Sequence, residues 1–271
     1  MASALRRGSA ALTLAAALIG PASAPAARYL IGHSVKGRPI YAYEIGSSHR
    51  RPVLVVGCTH GNETAGIAIA NMLRQLAPPP GVELWVIPVL NLDGRAADTR
   101  GNAHGVDLNR NFPYAWRSLG GIFYSGPQPL SEPESRAAYR LILRIKPRLS
   151  IWFHQHLGVV DDSKGSIAVE RKFAQLVGLP LAKLPNYPGS VSRWENQTIS
   201  GTAFVVELRA GSLSAAQVRT DARAVLTVAA GVAESGAHDP RCRRCGFVAE
   251  TNRGRRRCGA IEPVRACRWS R

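Results

Sequence analysis

Val53-Leu54-Val55-Val56-Gly57-Cys58-Thr59-His60-Gly61-Asn62-Glu63 runs an apolar, β-branched segment straight into a turn that carries a histidine and a glutamate three residues apart. The run has the length of a buried strand, and α/β proteins place their sites in the loops at strand ends. Outward from it, short apolar runs alternate with longer helical periodicities. The pattern predicts strands over 29–31, 40–45, 53–58, 83–89, 149–154 and 203–208, and helices over 64–76, 132–145 and 214–234. Such alternation implies an α/β fold built on a mixed sheet. Ser131, with Glu134 three residues on, predicts a capping box at the start of the second helix.

The chain has 271 residues, 45% hydrophobic against 20% charged, enough apolar matter for one sizeable core and too much for a disordered chain. Its two ends differ from the middle. Arg6 and Arg7 precede an apolar run from Ala10 to Ile19 and then small residues up to Ala26, the pattern of a secretory signal peptide. The run falls short of the roughly 18 to 20 apolar residues that span a bilayer, so no stable membrane insertion is expected after cleavage. From His238 onward, ten arginines stand against three acids, which supplies +7 of the formal charge of +17. The charge is thus partly a property of the ends, no nucleic-acid-binding motif accompanies it, and nucleic acid is not an expected partner. That tail also holds Cys242, Cys245, Cys258 and Cys267, whose spacing fits a zinc module poorly; disulfides or a disordered basic tail fit it better. The expected organisation is a signal peptide over 1–26, a catalytic domain over 27–236 and a basic tail over 237–271. Export would place the mature protein in the periplasm, the cell wall or the medium.

Imidazole nitrogen and carboxylate oxygen are both good zinc ligands, and His60 and Glu63 offer one of each in a single turn. A third ligand is on offer where the apolar run Leu149-Ser150-Ile151-Trp152-Phe153 ends in His154, with His156 two residues later. Three protein ligands leave a fourth position for water, as catalytic zinc requires. Residues 90–130 form a long stretch rich in Gly, Asn, Asp, Arg and Pro, and loops of that length are usually functional. Within it, Asn109 and Arg110 could grip a carboxylate through several hydrogen bonds. Glu207 sits in an apolar strand, where a carboxylate is either paired or placed for proton transfer.

With Gly105-Val106-Asp107-Leu108-Asn109-Arg110-Asn111-Phe112-Pro113, Ser131-Glu132-Pro133-Glu134, and Pro188-Gly189-Ser190 before Trp194, these residues resemble the zinc metallocarboxypeptidase family. The likeness covers nearly all of 28–234, and its compact bacterial branch of murein peptide amidases is the most similar in appearance. That branch cuts the bond between D-glutamate and meso-diaminopimelate in peptidoglycan peptides. The resemblance implies a three-layer α/β/α sandwich on a mostly parallel sheet, holding one zinc ion through His60, Glu63 and His154 rather than His156. It implies Glu207 as general base, Arg100 as the partner of the scissile carbonyl, Asn109 and Arg110 as the carboxylate grip, and Asp107 as the residue that orients His60. Tyr187 would be the tyrosine that closes over the substrate, and Arg193 falls where the family sets its side-chain pocket. A related group that deacylates N-acyl amino acids shares the His-Gly-Asn-Glu turn and the Asp-Leu-Asn-Arg stretch. Asn111-Phe112-Pro113, the Pro-Gly-Ser to Trp region and the signal peptide favour the peptidase reading.

Overall fold

A buried five-residue strand must find hydrogen-bonding neighbours on both sides, and β3 (Pro52–Val56) finds them in β4 (Glu83–Ile87) and β5 (Leu149–Asp161), parallel to both. The computed structural model describes residues 26–46 and 51–235, so the expected signal peptide, apart from its last residue, and the expected basic tail with its four cysteines lie outside the described residues. On the far side of β4, β2 (Pro39–Ile45) and then β1 (Ala27–His33) add antiparallel strands. On the far side of β5 lies β7 (Thr202–Arg209), again parallel. The sheet is mixed and mostly parallel, as expected.

Side chains alternate across the sheet along β3 and β5. Val53, Val55, Ile151 and Phe153 face one core, closed by α1 (Ala65–Leu73), α4 (Ile167–Val177) and α6 (Ala215–Ser235). Leu54, Val56 and Trp152 face the other, closed by α3 (Pro133–Ile145), α5 (Val191–Thr198) and by Leu108 and Phe112 of the long loop. Helices on both faces of one sheet make the three-layer sandwich that the resemblance implies. Among the described residues, no helix is long and apolar enough to cross a membrane.

Three features depart from the sequence expectation. The long loop contains a short helix, α2 (Leu92–Ala97), and two further helices, α4 and α5, lie between β5 and β7, with the two-residue β6 (Leu181–Ala182) between them. The capping box does not form. Ser131 Oγ donates instead to Glu132 Oε1 at 2.7 Å, and Glu134 accepts from the Val35 N–H at 3.1 Å and from Asn102 Nδ2 at 3.0 Å. With Pro133 at the first helical position, one N–H that a cap would serve is missing, and Glu134 is released to tie α3 to two other segments.

The third departure is the length of β5. Its register against β7 advances from Leu149 opposite Thr202 to His156 opposite Arg209, then returns, with Val159 opposite Glu207 and Val160 opposite Val206. The strand passes along one side of β7 and comes back along the other, where β6 joins its returning arm.

Beneath this region, α5 sends the buried Glu195 into the sheet, where Ser150 Oγ donates to it at 2.5 Å and Trp152 Nε1 at 2.7 Å. Burial pushes its carboxyl up to about 7, against which the two hydrogen bonds act. Because the folded value exceeds the ordinary 4.5, the protonated form is favoured by folding. The associated stability is complete below pH 4.5 and is lost as the pH rises toward 7. Glu195→Gln keeps both hydrogen bonds if the Ser150 hydroxyl reverses its role, and removes this loss. Its stability relative to the parent protein should therefore improve between pH 5 and pH 8, by at most about 1.4 kcal/mol per pH unit. Thermal unfolding of both proteins at the two pH values checks this, and an unchanged difference would refute it.

Candidate active site

Beyond β3 the chain turns at once. The Cys58 carbonyl accepts from the Leu90 and Asn91 N–H groups, at 2.9 and 3.4 Å, and the Glu63 N–H donates to the His60 carbonyl at 3.0 Å. Gly61 is required here: a Cβ on it would lie 1.9 Å from the Gly94 carbonyl carbon, so the turn can press against α2 only without a side chain. The turn delivers His60 and Glu63, and β5 delivers His154, two residues past the Trp152 that pairs with Val56. His60 and His154 are each 2% exposed and Glu63 8%.

Three atoms converge. His60 Nδ1 and His154 Nδ1 each lie 2.9 Å from Glu63 Oε2 and 3.1 Å from each other. Two ring nitrogens that close cannot both present bare lone pairs, so a proton or a cation must lie between them. A buried set of two nitrogens and a carboxylate oxygen is the donor chemistry of zinc, and among the described residues these three alone form such a group. The residues fit the metal. His156, the other candidate ligand, is exposed and stands outside the group.

Asp107 supports the site from behind. Its Oδ1 lies 2.8 Å from His60 Nε2 and accepts the Asn109 N–H at 2.9 Å, while Oδ2 accepts from Arg100 Nε and Nη2 at 3.1 and 2.8 Å. Burial opposes its ionisation, but His60, Arg110 and Arg100 together outweigh burial and hold the carboxyl well below the usual range. Arg100 also donates to Glu63 Oε1 at 3.0 Å, so here it bridges two carboxylates at the mouth of the cleft.

Glu207 lies opposite His154 across the β5–β7 pairing, on the same face, and the returning arm of β5 flanks its other side. Burial, then the charge of Glu63, pushes its carboxyl up to about 7, and Oε2 has no hydrogen-bond partner among the described residues. A carboxyl so placed can exchange a proton near neutral pH.

The rest of the expected site gathers around one cleft, which His60, Arg100, Asn109, Arg110, His154, Tyr187, Arg193 and Glu207 all line. Asn109 Oδ1 is taken by the Val191 N–H at 3.0 Å, which fixes its amide against the start of α5. Arg110 is 4% exposed, donates from Nη1 to the Asn109 carbonyl at 2.7 Å, and leaves Nε without a hydrogen-bond partner among the described residues, 3.9 Å from Asp107 Oδ2. Tyr187 stacks over it, 4.0 Å from the guanidinium carbon to the ring centre. Gly189, at φ +69°, brings the backbone beside Arg110: its carbonyl accepts the Phe112 N–H at 2.9 Å, and a Cβ there would meet the Arg110 carbonyl oxygen at 2.1 Å. Arg193 faces the Tyr114 ring at 5.6 Å and makes no ion pair among the described residues.

Sequence reading missed the far wall of the cleft, formed by Asp161, Asp162 and Ser163 together with Leu184 to Asn186. These residues reach it only because β5 wraps around β7, which no periodicity announces. The polar run Asp161-Asp162-Ser163-Lys164-Gly165 did mark a turn. Asp161 is anchored by the Leu184 N–H and by Ser163 Oγ, at 2.8 and 2.7 Å, whereas Asp162 accepts only the Lys164 N–H at 3.3 Å.

The convergence of nitrogens favours His154 over His156 as the third member of the group. Metal analysis of purified variants should find zinc lost from His154→Ala and kept in His156→Ala; the reverse pattern would overturn the assignment.

Comparison with known proteins agrees with this geometry. The zinc carboxypeptidase family model matches residues 22–160. Murein peptide amidase A of Escherichia coli K12 is 32% identical over 179 residues, which cover 60% of this chain and 74% of that protein. Murein peptide amidase A of Vibrio campbellii is 31% identical over 182 residues, 61% of this chain and 73% of that one. Among solved structures, the murein-tripeptide amidase from Escherichia coli O157 superposes with a TM-score of 0.60 at 26% identity, covering 76% of this chain and 91% of its own. Bovine thrombin-activatable fibrinolysis inhibitor reaches a TM-score of 0.67 at 21% identity, over 78% of this chain and 91% of its own, and shares the fold. The chain belongs to the zinc carboxypeptidase family of peptide-hydrolysing enzymes.

Proposed function

We propose that this protein hydrolyses the γ-D-glutamyl–diaminopimelate bond of peptidoglycan-derived peptides, releasing a residue with a free α-carboxylate. The observation that carries this reading is the charge pattern of the cleft. Beyond the histidines it presents Arg193 and Asp162, opposite charges that line one space without pairing with each other. A substrate side chain that ends in both a carboxylate and an ammonium group, as diaminopimelate does, matches both, whereas a lysine side chain matches Asp162 alone. The murein peptide amidases among the relatives support the same substrate. Export through the N-terminal segment would bring the enzyme to where such peptides arise.

The residues divide the work. Arg110 and Asn109 hold the α-carboxylate, and Tyr187 covers it. Arg100, which bridges Glu63 and Asp107, sits where a swing into the cleft would meet the carbonyl oxygen and its developing charge. Zinc held by His60, Glu63 and His154 would supply Lewis acidity, lowering the pKa of a water and polarising the carbonyl. Glu207 takes the proton from the attacking water and returns it to the leaving nitrogen, a role suited to a carboxyl poised near neutral pH.

Mass spectrometry of L-alanyl-γ-D-glutamyl-diaminopimelate after incubation should show free diaminopimelate, and none in the presence of a chelator. An intact tripeptide with zinc-loaded protein would sink the proposal. Glu207→Gln should retain zinc and lose about 10² to 10⁴ in kcat, the usual worth of a general base. Arg193→Ala and Asp162→Asn should each lower kcat/KM on the diaminopimelate peptide. On the lysine peptide, Arg193→Ala should have little effect and Asp162→Asn should also lower kcat/KM. Equal losses on both peptides for Arg193→Ala would contradict the reading of the charged wall.

A further inference from the structure

Arg110 has an electrostatic difficulty that the site must solve. It is a buried cation near a second one, Arg100, and burial followed by that neighbour's charge makes its protonated form harder to hold, against the pull of Asp107. Its nearest carboxylate, Asp107, stands 3.9 Å away and already serves His60, Arg100 and the Asn109 N–H. A closer acid would settle the charge but would compete with the substrate carboxylate for the same N–H donors. An aromatic ring offers a negative face without accepting those hydrogen bonds.

Phe123 occupies that position. It ends the short 3₁₀ turn Gly121–Phe123 of the long loop, beside Ile122, which is 73% exposed. Its ring centre is 5.2 Å from the Arg110 guanidinium carbon, 5.6 Å from that of Arg100, and 5.1 Å from the Tyr187 ring. The ring belongs to neither hydrophobic core. The backbone around it is pinned to the site: the Asp107 N–H donates to the Tyr124 carbonyl at 2.8 Å, and Asn111 Nδ2 donates to the Ser125 carbonyl at 2.8 Å.

We propose that Phe123 is a positioning residue for the carboxylate grip, an aromatic face that steadies Arg110 and Arg100 as cations and backs Tyr187 while leaving the Arg110 donors free for substrate. The inference rests on reading Arg110 as the carboxylate-binding residue. It does not depend on which cell-wall peptide is the natural substrate.

The test compares a peptide substrate bearing a free α-carboxylate with its C-terminal carboxamide, for the zinc-loaded parent protein, Phe123→Leu, Phe123→Tyr and Arg110→Ala. Phe123→Leu keeps bulk and removes the π face. It should raise KM for the carboxylate peptide by roughly five- to tenfold, the size expected of a partly desolvated cation–π contact, with kcat little changed. The carboxamide should be affected much less, so the preference for the free carboxylate shrinks. Phe123→Tyr should restore the parent values. Calorimetric titration of free diaminopimelate into metal-free protein should show the same ordering of affinities. Equal losses on both substrates, or no change in Phe123→Leu where Arg110→Ala abolishes the preference, would overturn the role of Phe123 alone. If Arg110→Ala leaves the preference intact, the carboxylate grip is misassigned and both readings fall together.

Discussion

One carboxylate holds the site together. Asp107, fully buried, receives the His60 ring, the Arg100 guanidinium and the Asn109 backbone N–H, and stands near Arg110. His60, Arg100, Asn109 and Arg110 are thereby referred to one anion. Such an anion is costly to bury alone and tolerable only when surrounded by donors. The cost makes the arrangement all or nothing: removing one donor leaves the others facing a charge they cannot fully satisfy. The orientation of His60 follows from this contact, since a ring whose Nε2 is held by a carboxylate presents Nδ1 to Glu63 and His154.

The sheet supplies what Asp107 cannot reach. His154 and Glu207 come from adjacent parallel strands in direct register, so their spacing is set by the ladder of backbone hydrogen bonds rather than by side-chain contacts. The buried Trp152 and Ser150, two and four residues before His154 on β5, both donate to Glu195 of α5, which locks the strand from below. His154 and Glu207 are thus positioned by rigid elements, and the loop residues are positioned against them.

Much of this was legible in the sequence, for identifiable reasons. The strands around His60, His154 and Glu207 are buried on both faces and read as continuous apolar runs, and the helices α1, α3 and α6 bury clear stripes. His60 and His154 stood where two of those runs end, and Glu207 within a third. What could not be read depended on chain reversal or on polar groups turned inward. Helix α5 hides its period because Ser192 and Glu195 are buried in it, and the return of β5 around β7 leaves no mark in composition. Phe123 had no signal at all, since an aromatic in a glycine-rich turn, followed directly by Tyr124, acquires meaning only from the two arginines it meets. Ser131 and Glu134 had the spacing of a cap, but longer-range partners claimed Glu134.

The reversal of β5 has a further effect, on how the molecule meets its own kind. Sheets grow by adding strands at open edges, and an exposed edge invites another chain to pair with it. Here β7, which would otherwise end the sheet, is closed on its outer side by the returning arm of β5, and beyond that the two-residue β6 is too short to template a partner. At the opposite limit, β1 is irregular, with a register shift between Leu30 and Gly32. Both borders are therefore poor surfaces for strand addition, so the fold that builds the active site also protects the protein against edge-to-edge aggregation.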